Sequence, residues 1–187
     1  MMQVSVLRIP DNIADWHLVH KFLKFRKDVF INRMSWELHH SEAMEFEQYD
    51  RIDTVYVIAH VGDTVVGGAR LVRTDRQIGF YSYMIRDACK GLLPGMPRDI
   101  CDADPPVSPQ IWELTRLAAL PRAGLGELIL TSSNAFLSDQ EATECLFLGP
   151  PAFMRMAKKM QFEPRPLGKV TGNGDGRFLA FACGVRF

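Results

Sequence analysis

The chain has 187 residues, 47% hydrophobic and 24% charged, which is the balance of an ordinary soluble globular protein of one compact domain. Its 22 lysines and arginines match its 22 aspartates and glutamates, so it carries no electrostatic footprint for nucleic acid or an anionic membrane. No apolar run is long enough to span a bilayer, and the start, Met1 to Arg8, lacks the charged-then-apolar layout of a signal peptide; the reading is a cytoplasmic protein without membrane insertion.

Val4 to Ile9 reads as a short strand. Pro10-Asp11-Asn12 then supplies turn and capping chemistry for a helix. Ile13, Trp16, Val19, His20, Leu23 and Phe30 recur at helical spacing and predict one stripe facing a core. Arg26 falls on that stripe, either snorkelling from its edge or buried against a partner. His17 and His20 are three apart, but nothing nearby completes a metal site. The adjacent pair His39-His40 is poor geometry for shared ligation, so no metal is expected. From Asn32 to Arg51 the chain is polar with isolated aromatics, Trp36, Phe46 and Tyr49. Such long, weakly periodic segments serve as lids or binding loops, and a mobile lid is expected over roughly 26–52. Glu47 and Asp50, three apart, could share one face of a helical turn or simply form an acidic surface turn.

Thr54–His60 and Thr64–Thr74 flank Val61-Gly62-Asp63, a hairpin signal. Gly67-Gly68 within the second strand predicts a bulge or a close approach. Arg70 is a basic residue inside the same apolar strand. Tyr81–Ile85 reads as a further short strand running into a helix over about 86–93. Pro94–Pro109 reads as a loop.

Ile111 to Ala119 is an apolar run that reads as a central strand, yet it holds Glu113 and Arg116. In a regular strand these point to opposite faces: Glu113 with Ile111, Thr115 and Leu117, and Arg116 with Trp112, Leu114 and Ala118. An unpaired buried charge costs on the order of several kcal/mol, so each needs a partner from elsewhere. Short of a bulge, they cannot pair with each other.

After Pro121 a helix is expected over 124–137, then a buried strand at Glu144–Leu148. Pro150-Pro151 starts a helix through Met160, with proline where a first turn tolerates it. Arg155, Lys158 and Lys159 fall on one side of it, a solvated basic face or a docking patch for an acidic partner. Glu163–Gly168 and Arg177–Val185 are expected as closing strands, joined by a flexible turn at Thr171–Gly176. The four cysteines show no Cys-x-x-Cys spacing and read as reduced thiols. Together these elements give an α/β (α+β) mixed sheet with helices on its faces, in a single domain over 1–187.

Arg26-x3-Phe30-x5-Trp36, Glu47-x2-Asp50, Gly68-Ala-Arg70-Leu71, Tyr83-Met84-Ile85 and Glu113-Leu-Thr-Arg116 occur in an order and spacing that resembles the acyl-homoserine lactone synthases, the LuxI-type autoinducer synthases. The resemblance is best from Arg26 to Ala119. It departs at Glu47, where the family usually has aspartate, at Cys89, where it has phenylalanine, and at Gly149-Pro150, where many members have serine or threonine. It implies a GNAT-like, mostly antiparallel sheet with helices on both faces. It implies S-adenosylmethionine as substrate rather than any bound cofactor, and an acyl chain carried on acyl carrier protein or coenzyme A. In that chemistry the amine attacks the thioester, the carboxylate closes onto the γ carbon, and methylthioadenosine leaves, yielding a quorum-sensing signal.

An ammonium must lose a proton before it can attack, so Glu113 is expected as general base, acting through a water. Arg70 and Arg116 complete the expected catalytic set. Arg26, Phe30, Trp36, Glu47 and Asp50 are the expected substrate-binding residues. Arg26, Arg70 and Arg116 are expected to pair with Glu47, Asp50 and Glu113, with Phe30 and Trp36 stacking over the adenosyl group. Two rivals remain at this level. One is a GNAT-type N-acetyltransferase using acetyl coenzyme A, for which Arg122-Ala-Gly-Leu-Gly126 nearly matches the pyrophosphate loop. The other is a non-catalytic relative that binds a small ligand or protein.

Overall fold

The structure, a computed structural model, describes residues 1–187. The chain runs β1 (Met2–Arg8), a 3-10 turn at Ile13–Asp15, α1 (Trp16–Arg26) and a π-helical turn (Lys27–Arg33). Then come β2 (Val55–Val61), β3 (Thr64–Arg73), α2 (Met84–Cys89), β4 (Ile111–Ala119) and α3 (Leu125–Asp139). It closes with β5 (Glu144–Gly149), α4 (Pro151–Lys159), β6 (Arg165–Pro166), β7 (Thr171–Asn173) and β8 (Gly176–Gly184). These form two compact units, and β3 and β4 each contribute residues to both.

The first unit holds Met1–Leu71 and Thr115–Phe136. β1 pairs antiparallel with β2, and β2 with β3 across the expected turn. Gly62 in that turn has φ +53, which glycine adopts without strain. The glycines inside β3 bring both expected features. The register slips between Ala59 and His60, opposite them. A Cβ on Gly68 would lie 2.7 Å from the Val57 carbonyl oxygen and 2.8 Å from the Phe22 ring, so α1 approaches β3 where β3 has no side chain. α1 buries Leu18, Val19, Phe22 and Leu23 against Leu7, Tyr56, Ile58 and Val65. The buried stripe is turned from the expected one: Ile13, Trp16 and His20 are exposed. Ile13 sits in a 3-10 turn of about three residues per turn, so the α-helical phase cannot be carried back to it, while Trp16 and His20 lie within α1 but beyond the edge of its buried face of Leu18, Val19, Phe22, Leu23 and Arg26. Arg26 lies on the buried line and is fully covered, so it does not snorkel.

The second unit holds Val72–Leu114 and Leu137–Phe187. β4 pairs parallel with β5, β5 antiparallel with β8, and β8 takes β6 on its other side. β6 has only two residues where a strand over Glu163–Gly168 was expected, because Pro164 and Pro166 lack the N–H a longer ladder needs. Thr171–Gly176 is not a free turn: β7 pairs with β8 and only Gly174-Asp175 turns between them. The strand expected at Tyr81–Ile85 is also absent, since α2 already starts at Met84. Tyr83, Ile85, Ala88, Ile100, Leu146, Ala180 and Ala182 form the core of this unit. All four cysteines are free thiols. No helix is long and apolar enough to cross a membrane.

Candidate functional site

Six charged side chains of the first unit close into a ring of alternating sign. Arg26 pairs with Glu45, Glu45 with Arg116 at 3.3 Å, and Arg116 with Glu47 at 2.9 Å. Glu47 pairs with Arg70 at 2.6 Å, Arg70 with Asp50 at 3.2 Å, and Asp50 returns to Arg26 at 2.7 Å. Each charge thus has two neighbours of opposite sign, and the three bases and three acids sum to zero. That compensation is what lets full charges sit in an apolar interior. The Arg26 guanidinium donates a fork to Asp50, 2.7 Å to Oδ1 and 3.0 Å to Oδ2, while its Nε donates to Glu45. The Tyr56 hydroxyl donates to Asp50 Oδ1 at 2.7 Å, and Arg70 Nε donates to Thr115 Oγ1 at 3.1 Å. Each arginine also lies over an aromatic ring: Arg26 over Phe22, Arg70 over Tyr49 and Arg116 over Phe30, at 5.9, 5.5 and 5.7 Å.

The ring is enclosed, most completely on the side of Arg26, Arg70, Glu45 and Asp50 and least at Glu47 and Arg116. The side chains of Arg26, Arg70, Glu45 and Asp50 are 0% exposed, whereas Arg116 is 5% and Glu47 11% exposed. The Glu47–Arg116 edge is the least enclosed part of the ring, and it presents one acid beside one base. Burial by itself pushes the Asp50 carboxyl up, but Arg70 and Arg26 overcome it and hold the group well below the usual carboxylate range. Glu47 is likewise held low by Arg116 and Arg70 against its burial. Against the same burial, Asp50 and Glu47 keep Arg70 above its ordinary value. Burial and then the Asp50 charge push the Tyr56 phenol well up, so it remains a donor. Arg70 Nη1 is near Asp50 for attraction but out of line for hydrogen bonding, and it is a buried nitrogen without an acceptor.

Local backbone makes this convergence possible. Arg116 has φ +54, in the left-handed region, inside an otherwise extended strand. In a regular strand Thr115 and Arg116 would face opposite ways; here both reach the ring. The irregularity that the sequence argument set aside is therefore present. It costs about 1–2 kcal/mol for a residue with a Cβ, offset by the two ion pairs Arg116 gains. The other arm is the segment after α1. Glu45 N donates to the Leu23 carbonyl, and Lys27 Nζ to the carbonyls of Ser41 and Glu42, so this stretch is clamped along the helix. Glu47 N donates to Asp50 Oδ2 and Asp50 N to Glu47 O, a tight turn that aims both acids the same way.

Sequence reasoning placed Glu113 as the third acid of this set; the structure seats Glu45 there. Glu45 was missed because a lone acid in a polar stretch carries no pattern. Counting charges could not expose it either, because Glu113 already made a third acid for the three arginines. Tyr56 and Thr115 were missed as well, since each reads as an ordinary strand residue. Phe30 and Trp36 do stack, at 5.0 Å and 14°, but on each other. Phe30 is buried and Trp36 half-buried.

In the second unit Glu113 is 1% exposed, and its carboxylate accepts the amide N–H groups of Met84 at 2.9 Å and Ile85 at 2.8 Å. Those are first-turn amides of α2, which have no partner within the helix. A carboxylate reaching them from β4 is what starts a helix where the sequence suggested a strand. Arg155, Lys158 and Lys159 are exposed along α4, apart from these contacts. Gly124 takes φ +77 just ahead of α3, where the Arg122–Gly126 near-match falls. No group of three or more histidine, cysteine, aspartate or glutamate side chains is disposed to hold a metal ion.

The profile of the autoinducer synthase family matches residues 13–103. An acyl-homoserine-lactone synthase of Acinetobacter nosocomialis is 36% identical over 180 residues, 89% of this chain and 90% of the relative. One from Ralstonia solanacearum is 41% identical over 125 residues, 63% of this chain and 53% of the relative, so that match spans about half the relative's length. Among solved structures, the CoA-dependent acyl-homoserine lactone synthase BjaI, with SAM and isopentyl-CoA, superposes with a TM-score of 0.84 at 20% identity, over 100% of this chain and 84% of that one. That likeness is one of fold, and it matches the GNAT-like class expected from the sequence.

Proposed function

The chain belongs to the acyl-homoserine-lactone (autoinducer) synthase family, and from that premise we propose how its residues make an N-acyl-homoserine lactone from S-adenosylmethionine and an acyl thioester. The amine of S-adenosylmethionine attacks the thioester carbonyl and the thiol leaves. The methionyl carboxylate then attacks the γ carbon, the C–S bond breaks, and neutral methylthioadenosine departs. The substrate therefore carries an ammonium, a sulfonium and a carboxylate, which together need both signs of charge within a few ångströms.

The observation that carries this reading is the least enclosed edge of the ring, where Glu47 and Arg116 lie side by side. Glu47 there suits the cationic groups, and Arg116 beside it suits the carboxylate. Arg26 and Arg70, fully enclosed, hold the acids in place rather than touch substrate. Asp50 acts in the same way from the sealed side. Trp36, half-buried, offers the ring for the adenosyl group, with Phe30 backing it. Glu113 takes the proton released by the attacking amine, through a water. Its carboxylate accepts the amides of Met84 and Ile85, which fixes its orientation for that role. Within the segment over roughly 26–52, the largely exposed stretch 32–42 acts as the lid, while Arg26, Glu45, Glu47 and Asp50 stay held in the ring. The exposed Arg155, Lys158 and Lys159 favour an acidic acyl carrier protein as donor, by charge. We place the reaction in the cytoplasm, where S-adenosylmethionine and acyl thioesters are made.

The test is incubation with S-adenosylmethionine and a panel of acyl thioesters, on carrier protein and on coenzyme A, with mass spectrometry for lactone and methylthioadenosine. Glu113→Gln should lower turnover by about 10²–10⁴-fold while S-adenosylmethionine still binds. Absence of product with every donor would overturn the assignment, and acetyl transfer without methylthioadenosine would favour an N-acetyltransferase.

A further inference from the structure

Tyr56 on β2 and Arg70 on β3 stand directly opposite each other, so their side chains leave the sheet side by side on the face that α1 covers. Both are 0% exposed. Beside them the Asp50 carboxylate is fully subscribed. Its Oδ1 accepts Arg26 Nη1 and the Tyr56 hydroxyl, each at 2.7 Å. Its Oδ2 accepts Arg26 Nη2 at 3.0 Å and the Glu47 amide at 2.9 Å. An ionised carboxylate has about four acceptor sites, so none is left for Arg70. That accounts for Arg70 Nη1, which lies 3.2 Å from Asp50 Oδ1 yet donates to no acceptor. A buried donor without a partner is costly, and this one is already next to the oxygen it would use. The other two nitrogens of the guanidinium are engaged: Nη2 donates to Glu47 Oε1 at 2.6 Å and Nε to Thr115 Oγ1 at 3.1 Å. Because the group is planar and rigid, turning Nη1 onto Asp50 moves Nη2 relative to Glu47.

We propose that Tyr56 is a positioning residue for the reaction: by filling the last acceptor site on Asp50, its hydroxyl keeps Arg70 committed to Glu47, at the edge where Glu47 meets Arg116. The proposal rests on the acyl-transfer reading above and gives the hydroxyl a task in holding S-adenosylmethionine, although it never touches the substrate. This role and a purely structural one make opposite demands. A hydroxyl that serves only the fold would, once removed, leave Asp50 short of a donor and lower Tm by about 3–12 °C. A hydroxyl that competes with Arg70 is replaced by Arg70. Most of the stability is then kept, while Glu47 loses its hold and substrate binding weakens.

Tyr56→Phe keeps the ring and its edge-to-face contact with Phe22 and removes only the hydroxyl. The experiment measures thermal unfolding, Kd for S-adenosylmethionine by calorimetry, and KM and kcat with an acyl thioester donor. The expected Tm stays within about 2 °C of wild type. Kd and KM for S-adenosylmethionine rise about 3- to 10-fold, the worth of one ordinary hydrogen bond. The change in kcat stays below about twofold, because the lost interaction is one of binding. A crystal structure of the variant shows Arg70 Nη1 donating to Asp50 Oδ1. Replacing Tyr56 by 4-aminophenylalanine, which restores a donor on the ring, returns Kd to the wild-type value. A Tm lowered by about 3 °C or more with Kd unchanged overturns the proposal, as does a variant unchanged in both. A Tyr56→Phe protein that fails to fold overturns it too, because Arg70 has then not taken the place of the hydroxyl. A wild-type protein that neither binds S-adenosylmethionine nor forms lactone overturns the acyl-transfer reading instead.

Discussion

Replacing Arg26 by methionine tests the ring at its most enclosed member. The side chain is 0% exposed, forks onto both oxygens of Asp50 and bonds Glu45. Methionine keeps most of the length and the apolar contact but removes the cation. Two carboxylates that share one guanidinium then lose it together, and the ring goes from neutral to a net charge of about −1. Removing one partner of a buried pair costs about 3–5 kcal/mol, because the charge left behind stays out of water. In a domain of this size each kcal/mol shifts Tm by about 2–4 °C, so Tm falls by roughly 6–20 °C. Urea unfolding measures the free energy directly. Arg26→Lys restores the charge but not the planar fork, so it falls between methionine and wild type. A double-mutant cycle with Asp50→Asn isolates the pair, with an expected coupling of about 0.5–3 kcal/mol. A loss under about 1 kcal/mol for Arg26→Met, or simple additivity with Asp50→Asn, would refute the argument that the ring is an interlocked buried network.

Gly68→Ala drives a methyl group into the Val57 carbonyl and the Phe22 ring, and destabilises by about 1–3 kcal/mol. Gly62→Ala meets no atom within 4 Å and costs only its positive φ, about 1 kcal/mol; equal losses for the two would show that α1 does not depend on the bare stretch of β3. Thr115→Val strips the buried Arg70 Nε of its acceptor and costs about 1–3 kcal/mol, whereas Thr115→Ser is nearly neutral, as chemical denaturation will read. The pH dependence has a fixed sign. Glu47 and Asp50 are held below their unfolded values, so the stability they add is complete above about pH 5 and is lost as pH falls through their folded values. The urea midpoint should drop from pH 5 towards pH 3, less steeply in Asp50→Asn, and a flat midpoint would contradict the depressed carboxyls.

Much of the protein could be read before any fold was known. The β2–β3 turn, the close approach at Gly67-Gly68 and the first-turn prolines of α4 follow from local chemistry, and the structure has them. Other local readings failed where a long-range contact intervened. Tyr81–Ile85 looked like a strand on its own residues, but Glu113 on β4 caps amides there and a helix starts instead. Glu163–Gly168 had strand-like residues around prolines that stop the ladder. The stripe on α1 was carried back to Ile13 across a turn that is not α-helical, and within α1 the buried face centres on Leu18, Phe22 and Arg26 rather than on Trp16 and His20.

The sequence by itself determined that Arg26, Arg70, Glu113 and Arg116 stand in apolar segments and must be answered by something. Burial of a charge has a cost that composition and spacing expose without coordinates. Which residue answers which was decided only by the tertiary structure. Glu45 lies nineteen residues from Arg26 and seventy-one from Arg116 along the chain, yet touches both. Thr115 and Arg116 face the same way only because one residue of β4 leaves the extended region. Pairing across such distances depends on where strands and helices bring side chains in space, and periodicity along one element holds no record of that.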